Sequence, residues 1–262
     1  DGIDFVQSGS ATNTRIETLT VSDCAGNGIR LWQAAIVRGC QANGNTLSGI
    51  ASSGTVIVED TMARSNGEHG ILTGADSVVQ SCTTSENVQM GIRVGNRSSV
   101  LDSAASLNAA GGIFINESSM VDRCLARGNT GFGIRAFAGC VIRNNTSDAN
   151  TGAPGFLITG PDNRIESNNS TINSRGLQVL STGNIIIKNT ASGNTINWEI
   201  AAFNSVAPIV VTPTNAAPIS GNSSAGSFTT SDPNTNFTYW CEGACDGIRQ
   251  SSGASPKGGL IL

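Results

Sequence analysis

The sequence predicts an all-β fold, a right-handed parallel β-helix of about nine 21-residue coils. Three observations carry this expectation. A glycine followed by a large apolar residue recurs at Gly28, Gly49, Gly70, Gly91, Gly112, Gly133, Gly155 and Gly176, with Asn197 in the next place. Apolar columns keep the same register. An asparagine column, Asn45, Asn66, Asn87, Asn108, Asn129, Asn150, Asn173 and Asn194, runs without a break. A fixed period near 20 residues marks a solenoid, whose units bury their apolar faces only against their neighbours. The Leu-x-x-Leu-x-Leu skeleton of leucine-rich repeats is absent, and Gly, Asn, Ser and Thr are poor formers of helical repeats.

Each coil is then justified in order. After the glycine come Ile29, Ile50, Ile71, Ile92, Ile113, Ile134, Phe156, Leu177 and Trp198. Two residues on stand Leu31, Ser52, Thr73, Val94, Ile115, Ala136, Ile158, Val179 and Ile200, and a spacing of two means a strand with both residues facing inward. Val37, Val58, Val79, Val100, Val121, Ile142, Ile165 and Ile186 mark a second strand. A small or polar column (Cys40, Thr61, Cys82, Ser103, Cys124, Asn145, Asn168, Asn189) and a column of Ala, Ser and Thr lead to the asparagines. Coils stacked about 4.8 Å apart set like upon like, so Ile and Val form one core and the Asn amides form a hydrogen-bonded ladder. Gly and Asn are also expected to supply the left-handed backbone of tight corners. Parallel crossovers are right-handed in about 98% of cases, which sets the hand. Such a rod is roughly 40–45 Å long.

Composition follows from the period. The chain has 262 residues with 32 Gly and 26 Asn, but one His and one Tyr, and only 13% charged residues. The net charge of −4 and a pI near 5.0 offer no basic surface for nucleic acid. No run of about 18 apolar residues exists to span a membrane as a helix.

Seven cysteines, an odd number, leave at least one unpaired within the chain. None forms a CxxC pair, and one histidine cannot complete a Cys/His zinc site, so no metal site is expected. Cys24 is expected to join the Cys40 column. Cys40, Cys82 and Cys124 stand two coils apart, roughly 9.6 Å, too far to bond, and are read as buried packing residues. The sequons at Asn96, Asn116 and Asn236 are expected by chance in a chain this rich in Asn, Ser and Thr. His69, beside Glu68, reads as a solvated corner residue.

The expected organisation is a β-helix over 1–200, a C-terminal capping segment over 201–239, and a Gly/Ser-rich tail over 240–262. Pro208, Pro213 and Pro218 break coil geometry in the cap. Cys241 and Cys245 are placed to close a small disulfide loop in the tail. The chain opens at Asp1 without Met or a signal peptide, as a processed form or a fragment would. No amphipathic helix precedes the first coil, which leaves a bare end and raises end-to-end self-association.

The coils containing "GIRV…SVLDSAASLN" and "CVIRNNTSDANTGAPGF" resemble the parallel β-helix repeats of the pectate-lyase-like superfamily, over roughly residues 1–200. Their counterparts include pectate lyases, polygalacturonases, uronate epimerases, phage tailspikes and uncharacterised secreted bacterial proteins; the C-terminal "APISGNSSAGSFTTSDPNTNFTY" resembles the ends of some of the last. The resemblance implies an extracellular or cell-surface protein and places a substrate groove on the outer face of the Gly-Ile strands. Here that face carries Arg30, Trp32, Arg93, Phe114, Arg135 and Phe137, three guanidinium groups and three aromatic rings. Arginine pairs with carboxylate or sulfate, and aromatics stack on sugars or under guanidinium groups.

A catalytic role has weaker support. The face carries no acid like those that hold Ca²⁺ in pectate lyases until Glu199, so Ca²⁺ enters only under a lyase reading. The paired acids of polygalacturonases are absent there too. Elsewhere, Glu59, Asp60, Asp102, Asp122 and Arg123 form either a carboxylate cluster or part of a ladder of surface ion pairs running through Arg38, Glu59, Asp122, Arg143, Glu166 and Lys188. Coils of 21–22 residues without insertions leave no long loops for a deep cleft. The sequence therefore reads as an extracellular structural or binding module for acidic polysaccharide or a partner protein. Two alternatives stay open: a polysaccharide lyase, hydrolase or epimerase using Arg93 or Arg135 as base or charge neutraliser, and a filament-forming protein.

Overall fold

The computed structural model describes residues 1–5, 13–32, 34–211 and 231–239. Among them there is no helix, and the strands form three parallel sheets along one solenoid. Sheet A holds ten strands from Ile3–Asp4 to Ile196–Ile200, each carrying the Gly-Ile position of its coil. Sheet B holds ten, from Thr14–Glu17 to Ser205–Val206, and sheet C eleven, beginning at Thr20–Ser22. Register follows the sequence columns: Ile71 pairs with Ile92, Val79 with Val100, and Thr84 with Ala105. About nine coils about 21 residues apart result, as the period predicts.

The columns turn inward as expected. Ile29, Ile50, Ile71, Ile92, Ile113 and Ile134 are fully buried, and so is the whole column from Val37 to Ile186. Each such side chain contributes about 1.5–3 kcal/mol relative to exposure. The column glycines are required by close approach and not by φ. A Cβ on Gly112 would lie 2.5 Å from the Gly133 carbonyl oxygen and 2.9 Å from Asn129 Nδ2. No larger side chain fits between stacked coils at that point.

The left-handed residues stand elsewhere than expected. At each corner the residue just before the inward polar side chain has positive φ: Leu107 before Asn108 (57°), Ile172 before Asn173 (57°), Ser81 before Cys82 (52°), Arg97 before Ser98 (55°). Most of these are neither Gly nor Asn. The ladder asparagines are not among the positive-φ residues; they make hydrogen bonds that the reversed backbone before them directs inward.

Each corner carries its own ladder. In the expected asparagine column, the backbone N–H and Nδ2 of one Asn both donate to Oδ1 of the next, as from Asn66 to Asn87 at 3.0 and 2.9 Å. The Cys40 column becomes a second ladder, in which Asn145, Asn168 and Asn189 repeat the pattern and Asn236 closes it (Asn189 N–H to Oδ1, 2.8 Å). A third ladder, between sheets A and B, was not foreseen: Ser77, Ser98, Ser119, Cys140, Asn163, Asn184 and Asn204. Its signal lies in the sequence, a polar residue or Cys two places before the inward Val or Ile of sheet B from Val79 onward.

The cysteines substitute for hydroxyls in these ladders. The Cys82 thiol donates to Val58 O and the Cys124 thiol to Val100 O, at 3.4 and 3.5 Å. Cys24 is a correction: its N–H donates to Asn45 Oδ1, so it begins the asparagine column and does not join Cys40. Cys24, Cys40, Cys82, Cys124 and Cys140 are all free thiols. Cys241, Cys245 and the rest of the expected tail lie outside the described residues, as do Pro213 and Pro218.

Two further departures concern spacing. Sheet B pairs Val141 with Arg164 and sheet C pairs Thr146 with Asn169, steps of 23 residues. After residue 200 the sequence period fades, yet Ser205–Val206 extends sheet B and Asn236–Tyr239 extends sheet C, with Ile209–Val211 beyond it. Asn236, one of the sequons, is fully buried in the second ladder.

Candidate functional site

The outer face of sheet A is flat and built from one or two side chains per coil. The alternation that buries Ile92, Ile113 and Ile134 turns Arg93, Phe114 and Arg135 outward on three successive strands. The Arg93 guanidinium carbon lies 5.8 Å from the Phe114 ring centroid and that of Arg135 lies 5.1 Å from it. One ring is therefore flanked by two cations, each within cation–π range. Their strand positions are two coils, about 9.6 Å, apart.

The charge balance of these two arginines is unusual for this chain. Among the described residues, every other Arg, and Lys188, has a carboxylate within 4.0 Å. Arg93 and Arg135 have none. Nε of Arg135 is also buried without a hydrogen-bond partner among the described residues. A buried donor without an acceptor is costly.

The other predicted face residues separate from this trio. Arg30 lies 3.6 Å from both Asp1 and Asp4, so its charge is met within the rod end. Trp32 is 45% exposed and edges a shallow hollow of about 250 Å³ with Arg30, Leu31, Ala51, Ser52, Ser53 and Leu72. Three coils, about 14 Å, lie between the Arg30 and Arg93 strands. Phe137 follows the Arg135 strand and is partly exposed. Towards the other end, Glu199 accepts from Arg175 Nε and from Gln178 Nε2, the latter at 3.0 Å, so its carboxylate is already engaged.

His69 corrects the sequence reading. It is buried, 4% exposed, and its Nδ1 accepts the Met90 N–H at 3.3 Å. The position before the glycine column lies where the corner folds under the stacked coils, which also buries Ser48 and Phe132. Burial first, and then the Arg93 guanidinium, hold the His69 imidazole below its usual range, while Glu68 acts the other way. Column position carried the signal for this burial; residue type did not.

On sheet B the acidic residues resolve into ion pairs. Arg38 binds Glu59, Arg143 binds Asp122 at 3.0 Å, and Lys188 binds Glu166 at 3.2 Å. Arg123 grips Asp102 with two nitrogens at 2.6 and 2.9 Å and reaches Asp122 at 2.9 Å. Asp122 is buried and takes a further bond from Asn144. Among the described residues no group of three or more His, Cys, Asp or Glu side chains is placed to hold a metal ion.

Comparison with known proteins agrees with the geometry. A family model described as "right handed beta helix region" matches residues 1–105. No curated protein matches the chain. Among solved structures, the A-module of Azotobacter vinelandii mannuronan C-5 epimerase AlgE4 superposes with a TM-score of 0.64 at 19% identity, covering 73% of this chain and 63% of that one. Pectate lyase Pel9A gives 0.62 at 16%, covering 75% and 66%, and the periplasmic alginate epimerase AlgG gives 0.50 at 12%, covering 82% and 61%. The chain spans less than two thirds of the length of each of these, and identities this low carry the fold alone. Repeat, sheet topology and the family model over residues 1–105 together show a right-handed parallel β-helix, the fold shared with these lyase and epimerase structures.

Proposed function

We propose that this β-helix is a binding module for acidic polysaccharide, held on the outer face of sheet A. The observation that carries this reading is the pair of uncompensated arginines, Arg93 and Arg135, flanking Phe114. Every other described Arg, and Lys188, already meets a carboxylate, most of them on a neighbouring coil. These two are free to meet carboxylate or sulfate groups, and Phe114 offers a ring edge against a sugar between them. Phe137 widens this face beside Arg135 and Trp32 continues it along the rod axis, so a linear chain laid parallel to that axis meets several side chains at once. Among the described residues the corners between coils are short, which suits a shallow, extended contact. An extracellular or periplasmic setting fits this role and is supported by the periplasmic assignment of AlgG.

The test is binding of defined acidic and neutral oligosaccharides to the wild type, Arg93→Ala, Arg135→Ala and the double variant. Each single change is expected to weaken an acidic ligand by about tenfold, consistent with loss of one charge-assisted contact. Neutral glycans should bind no better to the wild type than to the double variant. Equal affinity of all four proteins for acidic ligands would refute the assignment.

The likeness to two epimerases and a lyase supports a second reading, a polysaccharide lyase or epimerase using the same arginines against the substrate carboxylate. Incubation with polymannuronate and polygalacturonate separates the two, since unsaturated ends or inverted uronates appear only if the face is catalytic.

A further inference from the structure

We propose that His69 makes the Arg93–Phe114–Arg135 site pH-responsive, so that anions bind more tightly once His69 takes up a proton. This rests on the reading of that site as an anion-binding face. The geometry is specific. His69 is the single histidine of the chain, and its Nδ1 accepts the N–H of Met90, which lies on the strand Met90–Val94 that carries Arg93. With Nδ1 committed as an acceptor, the neutral ring carries its proton on Nε2.

The groups around it define the switch. Its own corner brings Glu68. The following coil brings Arg93 and the uncharged Met90 and Gln89. The preceding coil brings Ser48, whose hydroxyl donates to Glu68 at 3.4 Å, and Ala51, neither of which changes charge. Protonation would leave the Met90 N–H without an acceptor and set a second cation beside Arg93. In the free protein burial first, and then the Arg93 charge, oppose the proton, in keeping with the lowered affinity of His69 for it. An anion seated against Arg93 reverses the charge effect. Linkage then requires the reciprocal result: whatever raises proton affinity on binding also raises anion affinity on protonation.

The probe is a dextran sulfate oligosaccharide, whose sulfate esters stay ionised throughout, so the ligand contributes no titration. Two measurements are made on the full chain. The imidazole proton signal, unique because the chain has one histidine, is followed by NMR against pH with and without the probe. Affinity is measured at about pH 7.5 and 5.0 for wild type and His69→Gln. The expected result is a His69 midpoint below the ordinary histidine value that moves upward with the probe. The wild type should also gain affinity at the lower pH beyond any gain in His69→Gln, by up to about threefold for a half-unit midpoint shift. A His69 midpoint unmoved by a probe that binds, or equal gains in both proteins, overturns this inference and leaves the anion site standing. Failure of the probe to bind at either pH overturns the site and the inference together. The NMR titration uses the wild type alone and decides the matter even if His69→Gln does not fold.

Discussion

Asn108 donates both its backbone N–H and its Nδ2 to a single oxygen, Oδ1 of Asn129, at 2.9 and 3.0 Å. Asn129 in turn donates Nδ2 to Ala105 O and to Asn150 Oδ1. Each buried amide thus bonds to the coils on both sides. Asn129→Ala would remove four such bonds and leave the Asn108 N–H and amide unsatisfied. We expect a loss of about 2–4 kcal/mol, read by urea or thermal denaturation. A loss under about 0.5 kcal/mol would mean that water or a neighbour replaces the ladder.

Two substitutions should move stability in opposite directions. Gly112→Ala drives a Cβ against the Gly133 carbonyl and the Asn129 amide, neither of which yields without shifting a coil. It should cost at least about 2 kcal/mol. Leu107 has a φ of 57° and is 60% exposed. Leu107→Gly should relieve the left-handed penalty at little packing cost and, after glycine's unfolded-state entropy, gain about 0.5 kcal/mol. Thermal midpoints of the two variants against wild type check both signs.

The ladder thiols should be inert in the folded protein. Burial pushes the Cys82 and Cys124 thiols up to about 12 and raises that of Cys140. At pH 8 virtually no thiolate forms at Cys82 and Cys124. Alkylation followed by peptide mapping should leave Cys82, Cys124 and Cys140 unmodified until the chain is unfolded, whereas the half-exposed Cys24 reacts earlier. Rapid native labelling of Cys82 would show that the coils open locally.

Acid should weaken the rod in two windows. His69 is held neutral, so the folded state binds fewer protons than the unfolded one from about pH 6.5 down to its lowered value, and stability falls across that range. The exposed carboxylates of Asp76, Glu86 and Asp102 are held below their usual range by hydrogen bonds from Arg97, Arg64 and Arg123. Their contribution is complete above the ordinary carboxylate range and is lost as pH falls through the lowered values. Thermal midpoints should therefore decline gently below about pH 6.5 and again below about pH 4.5. In His69→Gln the upper decline should disappear while the lower one stays.

The period of 21, the inward Ile and Val columns and the asparagine ladder were all legible in the sequence, because stacking places identical positions in identical environments and each position therefore repeats its residue type. The same repetition concealed what varies. Two outward residues of the same type on sheet A, Arg30 and Arg93, read alike along the chain. Only the folded rod shows that Arg30 meets Asp1 and Asp4 while Arg93 and Arg135 meet no carboxylate among the described residues, since ion pairing depends on which coil lies beside which. His69 reads as a polar corner residue; its burial follows from the next coil folding over it. Continuation of sheet C by Asn236–Tyr239 was equally hidden, because that strand reaches its place from 47 residues beyond its ladder partner Asn189. Local periodicity determined the architecture, and contacts between coils decided where charge remains free.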